Sequence, residues 1–336
     1  MIEIATVGGI IIDSVIAADG TVRLEQMGGN CVYAAVGART WGKRVGIAGW
    51  VPRNYPMNWL ARAHEAGIAT DGAAVGEENV DLCEWFIYRD DGSRADQLLA
   101  PPGAFTVAGH GAKVTRDQAD AWQAHLRQRS YAGRGFGEFR RAHPKLAWPE
   151  AYTGARAVHL SQGPIALADL LDQMPQGTRI SVDPARATAT LPRAALAPIM
   201  ARIDAFLPSE KELKFMFPDL SVEAALPRLA EIGPRVVAVK RGAAGSLIWD
   251  RRAAKAVAVP AIKTAARDPT GAGDAWCGGF VAGMLDQDDP VIAACHATVS
   301  GSFAIEGFGA LHGLSADPKE ARRRLAELRR RMGADT

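Results

Sequence analysis

The chain has 336 residues, 48% of them hydrophobic, with 39 Lys and Arg against 37 Asp and Glu. That length accommodates one large α/β domain with a subsidiary lobe, and the near-balance of charge gives no general electrostatic footing for nucleic acid or a membrane surface. No apolar run is long enough to span a bilayer, and Cys31, Cys83, Cys277 and Cys295 lack C-x-x-C or Cys–His spacing, so they read as four buried, reduced thiols of a cytoplasmic protein whose partner is a small molecule.

In chain order, MIEIATVGGIIIDSV carries Glu3 early, has no basic leading region, and reads as a buried strand running into a glycine turn rather than as a secretory signal. DSVIAADGTVRLEQM sets an Asp-Gly turn between two β-like runs, the mark of an antiparallel hairpin. A helix-like run, CVYAAVGART, then precedes a strand-like run, RVGIAGWV. At their junction Gly37, Gly42 and Lys43 stand at the spacing of a phosphate-binding P-loop, G-x-x-x-x-G-K-[ST]. Arg44 replaces the hydroxyl residue and the order of strand, loop and helix is reversed, so Gly42 is read as ending the helix and opening a turn. CEWFIYRDDGSRADQLL repeats the hairpin pattern around Asp91-Gly92, and the two hairpins together make a small second sheet over the mouth of a larger one.

Residues 101 to 152 break the rhythm: PPGAFTVAGHG, GRGFGEF and HPKLAWPE frame one polar helix-like run, TRDQADAWQAHLRQRS, and the segment reads as an insertion. Its Gly133, Gly135 and Gly137 form G-x-G-x-G with no strand before them, a poor dinucleotide signature. Beyond it ARAVHLSQ, RISVDPA, IDAFLPS, RVVAVKRG and GSLIWD alternate with helical segments, as βαβ units do around a sheet covered on both faces. The expected class is therefore α/β. His159, on the strand HLSQGP, suits a place facing the substrate cleft but suits a satisfied interior histidine better, and His296 and His312 lack ligand spacing. DPKEARRRLAELRRRM is a basic amphipathic helix with Leu325 and Leu328 turned inward and its arginines solvated.

DPTGAGDAWCGGFVAGML, residues 268 to 285, carries the chemistry. Asp268-Pro269 cannot continue a regular helix, Gly271-Ala272-Gly273 can turn tightly with backbone exposed, and Asp274 opens a long apolar helix. Free N–H groups and the positive helix end favour an anion there. A carboxylate in the first turn is then a base beside a bound phosphate, able to take a proton from an attacking hydroxyl. Taken alone, the stretch suits a plain Asp helix cap equally well.

This stretch closely resembles the C-terminal signature of the ribokinase-like, or PfkB, carbohydrate kinases, commonly written D-[TP]-T-G-A-G-D-x-[FW]. VGGIIIDS resembles the family's first strand with its sugar-binding Asp, and GGNCVYAAVGARTWG its N-terminal signature. PSEKEL resembles its N-x-x-E motif, and VAVKRGAAGSLIW the strand and Gly-x-x-Gly turn at the nucleotide. The likeness covers roughly residues 1 to 100 and 155 to 312. It implies a three-layer α/β/α core with a mostly parallel central sheet over residues 1–13, 29–75 and 106–330, and a small β-sheet lid over 14–28 and 76–105.

Residue by residue, the resemblance implies Asp274 as catalytic base and the backbone of Gly271, Ala272 and Gly273 as an anion hole. Asp13 and Asn30, with Gly28 and Gly29, would hold substrate hydroxyls, carboxylate and amide oxygens accepting from a polyol. Gly242 and Gly245 would let backbone approach ATP, with Ser209 and Lys240 beside its phosphates and Thr298 near the adenine. Glu212 would organise Mg2+ through water, and Asp268 and Thr270 match positions that hold a potassium ion, K+, in several members. There are three departures: Ser209 replaces the Asn of N-x-x-E, Lys240-Arg241 replaces the usual Thr-Leu, and PRNYP at 52 to 56 replaces a G-x-D stretch and so removes a carboxylate from the sugar-side wall.

The implied activity is ATP-dependent phosphorylation of a hydroxyl, first of all a primary one, on a sugar or sugar-like molecule, with lid edges able to pair two copies as a homodimer. Two alternatives stand beside it. A nucleoside kinase would use Trp85, Phe86 and Tyr88 to stack a base, although alternate residues of that run suit hairpin packing. A kinase-like protein that binds sugar without phosphorylating it is favoured by Ser209, PRNYP and the insertion and opposed by the retained Asp274.

Overall fold

The computed structural model describes residues 1–80, 82–88, 94–95, 139, 142–143, 145–184 and 186–333; the Asp91-Gly92 turn and the glycines at 133, 135 and 137 lie outside them. In chain order the described strands are β1 (Ile4–Val7), β2 (Ile11–Ile16), β3 (Val22–Gly28), β4 (Val45–Val51), β5 (Ile68–Val75), β6 (Cys83–Tyr88), β7 (Arg94–Ala95), β8 (Ala157–Leu160), β9 (Arg179–Val182), β10 (Ala205–Phe206), β11 (Val236–Lys240), β12 (Ser246–Asp250) and β13 (Lys255–Val259). The described helices are α1 (Asn30–Arg39), α2 (Met57–Glu65), α3 (Pro164–Gln173), α4 (Arg186–Ala189), α5 (Arg193–Met200), α6 (Glu210–Met216), α7 (Val222–Ala230), α8 (Ala272–Gln287), α9 (Pro290–Ala304) and α10 (Pro318–Arg331).

Nine of these strands form one sheet in the order β13-β12-β11-β10-β9-β8-β1-β4-β5. From β5 to β11 every pairing is parallel, and β12 and β13 close the far edge antiparallel. Every residue of the central strands β1 and β8 is buried, as helices on both faces of a parallel sheet require. One layer sets Leu167 and Leu170 of α3, Ile199 of α5 and Leu229 of α7 against Val7, Leu160 and Val239. The other sets Val32 of α1 and Val281 of α8 against Ile4 and Ile47, and Phe280 with Ala294 of α9 against Ala238 and Ile248. This is a three-layer α/β/α core. No helix among the described residues is long and apolar enough to cross a membrane.

A second, separate sheet runs β3-β2-β6-β7. Asp13, grouped with the core in the sequence reading, belongs to β2 of this small sheet, so the chain leaves the large sheet at Gly8-Gly9 rather than after residue 13. The β2–β3 hairpin is antiparallel, as the Asp-Gly turn requires, while β2 and β6 pair in parallel with Asp13 opposite Glu84. β3 carries an extra residue beside Asp13, where Glu25 takes a positive φ of 54°. Such a bulge re-aims neighbouring side chains.

Other expectations meet simple physical outcomes. Gly42 ends α1 in the left-handed region at φ 72°, its N–H donating to Arg39 O at 2.9 Å, so the resemblance to a P-loop is accidental. Cys31, Cys277 and Cys295 are buried and Cys83 is only half-buried; all four are free thiols. The PRNYP stretch packs inward through buried Tyr55, and Asn54 pairs with both backbone groups of Val80.

The end of the presumed insertion proves to be core. Tyr152 is fully buried, and its hydroxyl lies 3.0 Å from Ile47 O and 2.9 Å from Ala69 O while accepting from Gly72 N at 3.2 Å. The register of β4 against β5 slips by one residue at this point, and the tyrosine satisfies backbone groups that the bulge leaves out of the ladder. Tyr152→Phe should therefore destabilise the fold by about 1–3 kcal/mol, the usual cost of stranding buried polar groups. Urea unfolding would show this as a lower midpoint at unchanged slope, and an unchanged midpoint would remove the bracing role from the hydroxyl.

Candidate active site

Parallel strands deliver the groups that follow them to one edge of the sheet, where α/β folds gather ligands. Gly8-Gly9 follow β1, Ser161 follows β8, Asp183 follows β9 and Lys240 ends β11. Over this edge lies the small sheet, and between the two is a cleft of about 280 Å³ lined by Asp13, Gly29, Asn30, Gly271 and Asp274 among others. Residues separated by more than 240 positions thus share one wall.

Asp13, in the lining of this cleft, is 1% exposed. Tyr33 OH donates to its Oδ2 at 3.0 Å, while its Oδ1 is buried without a partner. Burial pushes this carboxyl well above the ordinary range against the pull of the Tyr33 hydrogen bond, and the acids Glu84, Asp268 and Asp274 push it the same way. Gly28 must be glycine here, since a Cβ on it would stand 2.0 Å from the Asp13 carboxyl carbon. Asn30 corrects the sequence reading. Its amide oxygen accepts from Gly9 N at 2.7 Å and Cys31 N at 2.8 Å, and Nδ2 donates to Ser161 O at 3.1 Å. Both lone pairs are in use, so Asn30 offers a ligand one N–H and not its oxygen.

α8 begins on the same cleft. Gly271 is the N-cap in the left-handed region at φ 71°, and Ala275 N donates to its carbonyl at 2.8 Å, leaving the N–H groups of Gly273 and Asp274 at the open helix end. The cap position thus belongs to Gly271, and Asp274 stands three residues further on with its side chain on the cleft. Burial raises the Asp274 pKa; Lys240 opposes the shift, Glu212 adds to it and Arg94 opposes it.

Lys240 is not a solvated surface charge. It forms an ion pair with Asp183, the two side chains being 11% and 12% exposed, and Cys277 Sγ lies 3.3 Å from its Nζ. Burial alone would lower the Lys240 pKa, but Asp183, with Cys277, Glu212 and Asp274 nearby, holds the ammonium above its usual range. Burial in turn lifts Asp183 to about 7 against the pull of Lys240. Its amine lies 3.7 Å from where a Cβ on Gly273 would stand, so the cation sits beside the helix start.

The remaining candidates are spread around this centre. Ser209 and Glu212 form a capping box at the start of α6: Ser209 N and Oγ both donate to Glu212 Oε2 at 2.7 Å, and Glu212 N donates back to Ser209 Oγ at 3.2 Å. Asp268 Oδ1 accepts from Thr270 N at 2.9 Å and its Oδ2 is buried without a partner, while the Thr270 hydroxyl bonds Tyr88 OH at 2.8 Å. Gly242 and Gly245 shape the β11–β12 turn with φ of 56° and 85°, and Thr298 is buried in α9 with an unpartnered hydroxyl; these three do not line the cleft. Among the described residues no group of three or more His, Cys, Asp or Glu could hold a metal ion. His159 is an interior histidine between Ser181 Oγ at 2.9 Å and Ser161 Oγ at 3.1 Å, with burial pushing it down to about 3.

Sequence reasoning missed Tyr33, Glu84, Arg94 and Asp183. Tyr33 stands one helical turn after Asn30, a spacing that puts the two on one face. Glu84 alternates with Phe86 on β6, and both line the cleft, as does Arg94, whose guanidinium carbon lies 4.8 Å from the Phe86 ring centroid. Tyr88, proposed to stack a base, instead docks the small sheet onto Thr270; the Trp85 side chain lies outside the description.

Residues 158–317 match the pfkB family carbohydrate kinase model. A cytidine kinase of Thermococcus kodakarensis is 26% identical over 287 residues, covering 84% of this chain and 88% of that protein. Among solved structures, the E. coli protein called ribokinase II, in complex with ATP and Mg2+, superposes with a TM-score of 0.67 at 18% identity, covering 97% of this chain and 100% of the other. The nucleoside kinase of Burkholderia thailandensis in complex with inosine gives 0.68 at 16% identity, covering 98% and 97%. The chain thus carries a match to the pfkB carbohydrate kinase model over its C-terminal half and shares the ribokinase fold along nearly its whole length. It is a phosphotransferase with a hydroxyl acceptor, and its kinship implies ATP and Mg2+ as reactants.

Proposed function

We propose that the chain phosphorylates a primary hydroxyl of a sugar or nucleoside, with Asp274 as the base and the start of α8 as the anion hole. The observation that carries this reading is the meeting of Asp13 and Asp274 in one cleft, with the glycine cap of the helix that carries Asp274 in the same lining. Asp13 Oδ1, buried and unpartnered, would bond one substrate hydroxyl, and the remaining N–H of Asn30 Nδ2 would donate to a second. These two anchors would hold the acceptor with its primary hydroxyl toward Asp274.

The residues present fit a nucleotide. Gly271 supplies the left-handed turn, Gly273 leaves open the space between the helix end and Lys240, and Lys240 is a fixed cation beside it. Ser209, Gly242, Gly245 and Thr298 would complete the nucleotide side, and Glu212 would meet Mg2+ through water with the oxygen its capping box leaves over. When bound, Mg-ATP supplies the phosphoryl group and part of the counter-charge. Asp274 then takes the hydroxyl proton as the oxygen attacks phosphorus, the N–H groups of the helix end stabilise charge on the equatorial oxygens, and the small sheet excludes water. The orphaned Asp268 Oδ2 suits a monovalent cation such as K+, with Thr270 contributing through its backbone because Tyr88 occupies its hydroxyl.

The test is ADP release from Mg-ATP against separate pools of sugars, sugar acids and nucleosides. At least one pool should give release that depends on both acceptor and Mg2+. Silence in every pool, with a sugar or nucleoside nevertheless shown to bind by calorimetry, would replace the kinase with a binding protein.

A further inference from the structure

Three elements converge on the side chain of Tyr33. It projects from the first turn of α1, where Tyr33 N donates to Gly29 O at 3.1 Å, and the residue is only 3% exposed. Its hydroxyl donates to Asp13 Oδ2 on β2 of the small sheet, and among the described residues this is the one hydrogen bond that the Asp13 carboxylate receives. Its ring fills the place where a side chain on Gly271 would begin: a Cβ there would stand 2.1 Å from Tyr33 Cδ1 and 2.2 Å from Cγ. The neighbouring Ala34 carbonyl meets the bare face of Gly278, so the backbone that carries the ring is held against the helix that carries Asp274. Burial first, and the Asp13 carboxylate second, hold the phenol well above its ordinary range, so it remains a donor at neutral pH.

The geometry points to Tyr33 as the positioning residue that fixes the acceptor anchor against the anion hole, its hydroxyl aiming Asp13 and its ring setting the turn at Gly271. The inference rests on the kinase reading above and deepens it by naming what holds the two halves of that site at a working distance. Asp13 stands on the small sheet and Gly271 caps a core helix, so the hydrogen bonds within neither element set their separation. Transfer between reacting groups is steeply sensitive to that separation, an error of about 1 Å being enough to cost about a hundredfold. A phenol ring is a rigid spacer, since its hydroxyl and its ring carbons keep one distance whatever the side-chain torsions. Packing on Gly271 alone would be served equally by phenylalanine. The hydroxyl on the anchor is therefore the part that distinguishes a strut from a core residue.

Calorimetric binding of ribose, cytidine and Mg-ADP, run beside ADP release from Mg-ATP, reads the two contacts separately. Tyr33→Phe keeps the ring on Gly271 and removes the hydroxyl. It should weaken the binding of whichever of ribose and cytidine the wild type takes by about tenfold or more, the scale of a lost hydrogen bond to a charged group, and leave Mg-ADP binding at its wild-type value. Steady-state KM should show the same split, raised for the acceptor and unchanged for ATP. Tyr33→Leu removes the ring as well and should weaken Mg-ADP too. Wild-type acceptor affinity in Tyr33→Phe would overturn the role, and so would equal weakening of acceptor and Mg-ADP, because a general loosening of the fold moves both. Wild-type Mg-ADP binding by a folded Tyr33→Leu would overturn the part given to the ring; where that variant does not fold, the split in Tyr33→Phe decides. A wild type that binds ribose or cytidine and releases no ADP would sink phosphoryl transfer, while the split would still test the strut. Binding of neither compound would overturn the anchor and the strut together.

Discussion

Asp274→Asn should lower kcat for the preferred acceptor by about a thousandfold, within the range that loss of a general base produces, while leaving nucleotide and acceptor binding close to wild type. Asparagine keeps the shape of the side chain and the Gly271 cap, so the variant separates proton removal from folding. The pH profile supplies a second, independent sign. Burial raises the Asp274 pKa, and the base works only when deprotonated, so wild-type kcat/KM should fall as pH drops through a pKa above the ordinary carboxylate range. In Asp274→Asn the residual rate should lack that acid limb. Steady-state kinetics from acid to neutral pH on both proteins measures both signs. A variant that retains wild-type turnover, or an acid limb that survives in it, would move the base elsewhere and make the second carboxylate of the cleft, Asp13, the next suspect.

How much of this site stood in the sequence depends on whether a residue's role is set by its near neighbours. DPTGAGD is legible because a left-handed turn at Gly271 and a carboxylate in the following helical turn are demands of local backbone geometry. The central strands are legible because burial on both faces leaves unbroken apolar runs. β5 is not, since Asp71-Gly72 in its middle reads as a turn; the structure makes it a bulge whose loose backbone groups are met by a tyrosine 80 residues further along the chain. β13 fails for the opposite reason, as an edge strand with mostly exposed or half-buried residues has no buried run to show.

The same division runs through the cleft itself. Glu84 enters it only because β6 pairs in parallel with β2 in the register that sets it opposite Asp13, a choice that no local pattern records. The Lys240–Asp183 pair joins residues 57 apart, so the carboxylate that fixes Lys240 could not be read from the residues around it. Asn30 shows a subtler limit. Its position was legible from Gly-Gly-Asn, but the consumption of its amide oxygen by Gly9 and Cys31 was not, because that depends on where the β1–β2 connection passes.

Gly278→Ala should weaken both the fold and the active site, because the two depend on one backbone contact. A Cβ on Gly278 would stand 1.8 Å from Ala34 O, and one on Gly37 2.0 Å from Ala275 O. Helices α1 and α8 therefore touch backbone to backbone, each bare at the point where the other passes. An oxygen of a helical peptide cannot step aside as a side chain can, so an added methyl must push the helices apart. Overpacking of this kind costs about 1–3 kcal/mol, and Gly278→Val should cost more and leave little folded protein. The functional consequence follows from what the two helices carry at their N-terminal ends, Asn30 on α1 and Gly271 to Asp274 on α8. Separating them would widen the gap between the acceptor anchor and the base, so kcat/KM measured on the folded fraction of Gly278→Ala should fall tenfold or more, in line with the steep penalty for misplacing reacting groups by even about 1 Å. Urea midpoints and steady-state kinetics on the same preparation test both parts. A lowered midpoint with unchanged kcat/KM would mean that the contact supports the fold and that the cleft geometry is held by the strand ends instead; an unchanged midpoint would mean that the helices can separate freely, against the close packing described.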